Sequence, residues 1–209
     1  MKSDPQLSAF MNTLGLQAPF YNVSLDAQNL NDLTRYYEHV IRWNERLHLV
    51  APCSPEEFAT RHVLESLMLV NYLTRGASVA DVGSGAGLPI LPCLIVRPDL
   101  NATLVEASGK KAIFLIETLK LTGTEKRARV INERFEPLRP PDVGYVTCRA
   151  LERFEKMLPQ LIEWSPRPAT LLLFGNKLLG NAIENLNLEV ESVLMPDSRN
   201  RFLHVIHKN

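Results

Sequence analysis

The most chemically suggestive stretch of this 209-residue chain is Val79-Ala80-Asp81-Val82-Gly83-Ser84-Gly85-Ala86-Gly87-Leu88-Pro89. A short apolar strand ends near an acid, and a loop with glycine at every second position follows. Glycine tolerates positive φ and carries no Cβ, so the amides of such a loop can come close to a ligand. The spacing is Gly-x-Gly-x-Gly, not the Gly-x-Gly-x-x-Gly that seats a dinucleotide pyrophosphate on a helix N-terminus. Asp81 would repel a phosphate but suits a cationic, amine-bearing ligand. Together these features point to S-adenosylmethionine, with Asp81, Gly83 and Gly85 among its contacts. A purely structural strand-to-helix turn is the alternative reading of the loop alone.

A second acid narrows the choice. Ala102-Thr103-Leu104-Val105 reads as another buried strand and ends in Glu106, some twenty-five residues past Asp81. A carboxylate so placed can accept both hydroxyls of a ribose. NAD and adenosylmethionine share that diol, so Glu106 alone does not separate them. Asp81 and the glycine spacing favour the latter over an NAD-dependent dehydrogenase.

To bring both carboxylates to one edge, the chain must set them at the carboxyl ends of neighbouring parallel strands. The pattern from residue 75 onward supplies this. Strands are predicted near 78–81, 102–105, 129–132, 144–148, 169–174, 189–195 and 202–206. Helices are predicted near 88–96, 109–121, 151–163 and 178–185. Such alternation implies an α/β fold, a mostly parallel, seven-stranded Rossmann-like sheet with helices on both faces. The short Pro196–Asn200 connection predicts an antiparallel hairpin at one edge.

Residues 1–74 read instead as a helical extension, with 75–209 as the catalytic domain. Leu7, Phe10, Met11 and Leu14 repeat at helical spacing behind Asp4 and Pro5, with Gly15 as the expected stop. A second helix carries Leu30, Leu33, Tyr37, Val40, Ile41 and Leu47. A third opens with the capping box Ser54-Pro55-Glu56-Glu57 and runs to about Leu73, before a break at Gly76.

Composition excludes several classes. Hydrophobic residues make up 45% and charged residues 22%, as in an ordinary globular domain, and 209 residues suffice for one full core. No apolar run is long enough to span a bilayer, and the N-terminus lacks a signal-peptide pattern, so a cytoplasmic protein is expected. Cys53, Cys93 and Cys148 form no pair with metal or disulfide spacing, and no metal is expected. Basic and acidic residues balance at 23 each, so any polyanion must be met by a local patch. Lys126, Arg127, Arg129, Arg134 and Arg139 form one sequence cluster. Arg35, Arg42, Arg46 and Arg61 recur in the helical region.

An ordered set of stretches resembles one family. The set comprises Trp43-Asn44, Arg61-His62-Val63-Leu64-Glu65-Ser66, Asp81 to Pro89, Ile95-Val96-Arg97-Pro98, and Arg149-Ala150. From about residue 25 to the end, the chain is similar to the glucose-inhibited division protein B family, which methylates guanine N7 in small-subunit ribosomal RNA. The resemblance implies a seven-stranded adenosylmethionine-dependent methyltransferase fold and a 16S ribosomal RNA or small-subunit partner; a monomer is expected. The resemblance also implies cofactor contacts at Gly83, Leu88, Glu106, Phe135, Glu136 and Arg149, and substrate contacts at Asn44 and His62, while Lys177, near the end of the fifth strand, is placed to add a phosphate contact. The chain departs from the family at His48-Leu49-Val50, Thr147-Cys148-Arg149-Ala150 and Phe174-Gly175-Asn176-Lys177. A diverged member that acts elsewhere on RNA, or binds it without efficient catalysis, is the alternative.

The residues that are missing fit the implied chemistry. No Asn/Asp-Pro-Pro-aromatic run of amino-group methylases follows the fourth strand. Cys148 is the one candidate nucleophile for carbon-5 chemistry, but a cysteine in a buried strand more often packs. Guanine N7 already carries an in-plane lone pair, so its methylation needs alignment and no acid–base pair.

Overall fold

The strands form because β-branched and aliphatic residues cluster in runs of four to seven between polar turns, as in Ser78–Val82 (β1), Asn101–Val105 (β2) and Ala128–Ile131 (β3). Tyr145–Cys148 (β4), Ala169–Gly175 (β5), Glu191–Leu194 (β6) and Phe202–Lys208 (β7) complete one sheet. The computed structural model describes residues 4–149 and 154–209. Ala150 and the predicted helix start at 151 therefore lie outside the described residues. The sheet order is β3-β2-β1-β4-β5-β7-β6. β1 to β5 are parallel, β7 is antiparallel to β5, and β6 pairs with β7 at the edge. Strand order reverses between β1 and β4, which opens a crevice at their carboxyl ends.

Strand parity sorts side chains onto two faces. Ala80, Val82, Val146, Cys148, Leu171 and Leu173 join one core. Val79, Leu104, Leu172 and Phe174 join the other, together with Phe10, Leu33, Phe58 and Leu67 of the N-terminal helices. Asp81 and Thr147 lie in register on β1 and β4, alternating with residues of the first face, so both point toward the helical extension.

Each N-terminal helix starts at a side-chain cap that satisfies an otherwise orphaned amide. Asp4 accepts from Gln6 N, Asp26 forms a reciprocal capping box with Asn29, and Ser54 Oγ accepts from Glu57 N at 3.1 Å. The first helix, Pro5–Gln17, runs through Gly15 instead of stopping there, and a 3-10 turn follows at Ala18–Tyr21. The left-handed residue that ends this segment is Asn22, at φ 54°. The second helix is Ala27–Leu47.

The third segment is helical over 55–71 but changes pitch along its length. An α turn at Pro55–Glu57 leads into a π-helix at Phe58–Leu64, then an α turn at Glu65–Leu67 and a 3-10 turn at Met68–Asn71. Phe10 stacks on Tyr37 with ring centroids 4.3 Å apart, and both pack on Phe58, tying the three segments together. Helices Ile90–Val96, Gly109–Leu121, Phe154–Trp164 and Lys177–Glu184 link the strands.

Candidate active site

The loop after β1 adopts the backbone its glycines were expected to allow. Gly83, Gly85 and Gly87 have φ of 72°, 52° and 85°, a region costly for other residues. Gly83 N and Ser84 N donate to Val105 O at the end of β2, bending the loop over the sheet. A Cβ on Gly87 would fall 2.6 Å from Leu91 Cδ1, so the helix that follows fits only a glycine there.

Glu106 locks the loop from the side. Its Oε2 accepts from Gly85 N at 2.8 Å and its Oε1 from Ser108 N at 2.8 Å. A carboxylate has about four lone-pair sites, so two remain for other donors. Glu106 is only 8% exposed, yet it lines the wall of a cleft of about 800 Å³ at the carboxyl ends of β1, β2 and β4. A buried, preoriented acceptor beside glycine amides is what a ribose diol requires, and the residues present fit adenosylmethionine.

Gly83, Gly85, Leu88, Glu106, Phe135 and Glu136 all border this cleft. Phe135 is buried edge-on against Trp164, with centroids 5.7 Å apart. Glu136 accepts from Arg134 Nη2 at 2.7 Å, which holds its carboxyl below the usual range. His62 and Arg149 border the cleft as well.

Asp81 does not. It is fully buried beneath the loop because strand parity turns it toward the helical extension. Thr147 Oγ1 donates to its Oδ1 at 2.8 Å, while Oδ2 has no partner among the described residues. Burial pushes this carboxyl up to about 7, against the opposing hydrogen bonds from Ser84 and Thr147. The expected direct ligand contact is thus replaced by a carboxyl one layer below the cleft, with one oxygen still unsatisfied.

Arg149 reaches from the cleft into the third helical segment. Glu65 N donates to Thr60 O, five residues back, and not to Arg61 O as an α-helix requires. The carbonyl of Arg61 instead accepts from Arg149 Nη2. Arg149 Nη1 donates to His62 O at 3.3 Å and to Ser66 Oγ at 3.1 Å. Its charge faces Glu65, whose Oε2 lies 3.4 Å away and whose side chain is 2% exposed. Arg201 Nε reaches Glu65 Oε1 at 2.7 Å from the end of the chain.

His62 stands beside this network, its ring 5.0 Å from that of Phe58. Burial, and then the nearby charges of Arg149, Arg61 and Arg201, depress it to about 3, so it is neutral at pH 7. Its Nδ1 lies 3.4 Å from Arg149 Nη2.

The other two predicted substrate residues do not border the cleft. Asn44 spends both ends of its amide on Val50, donating to the carbonyl at 3.1 Å and accepting from the amide at 2.9 Å. It braces the segment whose Leu49, Val50 and Ala51 line the cleft. Lys177 begins the last helix, with its backbone N bonded to Asn200 Oδ1. Cys148 is fully buried in the core on the face opposite Thr147.

Three residues carry more of the site than their sequence context signals. Tyr36, fully buried on the second helix, donates its hydroxyl to Ala86 O of the glycine loop at 2.9 Å. It sits beside Tyr37 in an apolar stripe and looks like core. Glu65 and Arg201 are charged residues whose pairing spans 136 positions, which no local pattern reveals. Among the described residues, no cluster of three or more His, Cys, Asp or Glu forms a metal site, and no helix is long and apolar enough to cross a membrane.

Comparison with known proteins identifies the family and the fold. The family described as rRNA small subunit methyltransferase G matches residues 29–194. A ribosomal RNA small subunit methyltransferase G from Xanthomonas axonopodis pv. citri is 43% identical over 149 residues, covering 71% of this chain and 67% of that protein. One of the same name from Sorangium cellulosum is 40% identical over 161 residues, covering 72% and 65%. Among solved structures, a SAM-dependent methyltransferase from Aquifex aeolicus aligns with TM-score 0.58 at 18% identity, over 72% of this chain and 93% of that one. A ribosomal protein L11 methylase from Lactobacillus delbrueckii subsp. bulgaricus aligns with TM-score 0.57 at 14% identity, over 71% and 79%. At such identities these two speak to the fold alone.

Proposed function

Because this chain belongs to the rRNA small subunit methyltransferase G family, we propose that it methylates N7 of a guanosine in 16S ribosomal RNA, using S-adenosylmethionine. The observation that carries the reading is Glu106, buried at the end of β2 and held by Gly85 N and Ser108 N with acceptor capacity to spare. In this reading Glu106 takes the ribose hydroxyls, while Gly83, Gly85 and Leu88 form the floor. Phe135 and Glu136 close the far side of the cleft. Asp81, below the loop, supports a cationic ligand by field and not by contact.

The bound cofactor supplies a sulfonium methyl open to in-line attack. The protein's task is then to hold N7, with its in-plane lone pair, on that line and to keep water out. No residue need remove a proton, and effective concentration supplies most of the rate. His62 and Arg149 border the part of the cleft nearest the helical extension, where the base would enter. Asn44 acts through the Val50 segment, and Lys177, outside the cleft at the start of the last helix, contributes a phosphate contact. The division at about residue 75, between extension and catalytic domain, belongs to the same reading. So do a small-subunit partner, a cytoplasmic location and a monomeric state.

Calorimetry tests the cofactor side. Losing a charge-assisted hydrogen bond costs about 1.5–3 kcal/mol, so Glu106→Ala should weaken adenosylmethionine binding roughly ten- to a hundredfold. Unchanged binding would remove Glu106 from the site. Mass mapping of small-subunit RNA from cells with and without the gene tests the product. One guanosine that loses a methyl group is expected, and identical maps would overturn the assignment.

A further inference from the structure

His62 has two ring nitrogens in different settings. Nδ1 faces Arg149 Nη2 at 3.4 Å, and a guanidinium nitrogen can only donate. The cation facing Nδ1 favours a lone pair there over an N–H, which puts the proton of the neutral ring on Nε2. Arg149 Nη1 is held by His62 O and Ser66 Oγ and Nη2 by Arg61 O, while the second Nη2 proton is shared between Glu65 Oε2 and His62 Nδ1, each at 3.4 Å. Nε2 makes no hydrogen bond to the described residues, and His62 borders the cleft. The ring thus offers the cleft a fixed N–H donor, oriented on its far side by a buried ion pair.

We infer that His62 reads the target base, its Nε2–H donating to the keto oxygen at C6 of the purine whose N7 is methylated. The inference rests on the proposed guanine-N7 activity. On the major-groove edge, guanine presents acceptors at both N7 and O6, whereas adenine presents an acceptor at N7 and an amino donor at C6. A neutral histidine with its tautomer fixed accepts the first pattern and sets donor against donor in the second. Glu65 is then a positioning residue, acting through Arg149 on the tautomer.

Two measurements test this on the full-length protein. Nitrogen-15 NMR of the imidazole should place the proton on Nε2 in the wild type, and a proton on Nδ1 overturns the inference. Small-subunit RNA is then ligated with guanosine, inosine, 2-aminopurine or 2,6-diaminopurine at the mapped position. The wild type should methylate guanosine and inosine alike and disfavour the two bases without a C6 oxygen. His62→Ala should shrink the preference for guanosine over 2-aminopurine by roughly tenfold, the worth of one hydrogen bond. It should leave adenosylmethionine affinity unchanged. His62→Gln, which keeps an N–H donor, should restore part of the preference. Glu65→Gln should erode it in kcat/KM, with Glu65→Asp milder. His62→Ala with an unaltered preference sinks the inference alone. A wild type that methylates no guanosine sinks the proposed function and this reading with it.

Discussion

Asp81 binds a proton more tightly in the folded chain than an aspartate does in water, because the helical extension seals it from solvent. Its folded value is about 7 against an ordinary 3.8, so between those values the folded state holds a proton that the unfolded state has lost. The contribution of this group is therefore fully present below pH 3.8 and fades as pH rises through 7. Urea midpoints of ligand-free protein should fall between pH 4.5 and 7.5, and Asp81→Asn should flatten that fall. A cationic ligand favours the ionised form. Adenosylmethionine binding near pH 6 should then release a fraction of a proton, seen as buffer-dependent heat and absent in Asp81→Asn. The acid itself was legible from its place before the glycines. Its retreat from the cleft was not, because that depends on which face of the sheet the distant N-terminal helices cover.

Among the elements, the second and third helical segments do more than add bulk. Tyr36 reaches the glycine loop from one side while Glu106 holds it from the other. Tyr36→Phe removes one buried hydrogen bond and leaves Ala86 O unpaired. Leaving a buried acceptor unpaired costs about 1–3 kcal/mol, so the melting temperature should fall by several degrees, and adenosylmethionine affinity should drop with it as the loop loses its shape. Equal affinity in calorimetry would mean that the loop holds its shape without the tyrosine. The Asp26 cap of the second helix went unmarked behind its apolar stripe, but the first and third helix starts were readable from Asp4 and Ser54, since caps are local chemistry. The π register at Phe58–Leu64 was not, because its displaced carbonyl is answered by Arg149, 88 residues away. Gly15 misled for the opposite reason. A glycine can stop a helix, but here packing of Phe10 and Leu14 into the core carries the helix past it.

For the whole molecule, the helices and the sheet share one apolar interior, in which Phe10, Leu33 and Phe58 belong with Val79, Leu104 and Leu172. A chain of 75–209 would expose that face of the sheet to water. It should be insoluble or lack a cooperative melt, whereas the full chain should unfold in one transition that adenosylmethionine raises as a unit. At a hundredfold excess over Kd the ligand adds about 2.7 kcal/mol, or several degrees for a chain of this size. A folded, soluble 75–209 fragment would contradict this. The seven strands were legible from their alternation with helices. That β7 lies inside the sheet and β6 at its edge shows in their burial, Leu203 to Ile206 being buried while β6 is mostly exposed, which a hairpin connection alone does not disclose.

The pairing of Glu65 with Arg201 also has an order in time. On the ribosome the carboxylate is made 136 residues before its arginine. At 5–20 residues per second it waits on the order of ten seconds for its partner to be made. Arg149, made 84 residues after Glu65, reaches the same carboxylate first, so Arg201 is the second guanidinium to arrive. The corner where Glu65, Arg149 and His62 meet therefore gains its last charge only with the final hairpin, and a chain ending before Arg201 should leave Glu65 facing one guanidinium in place of two.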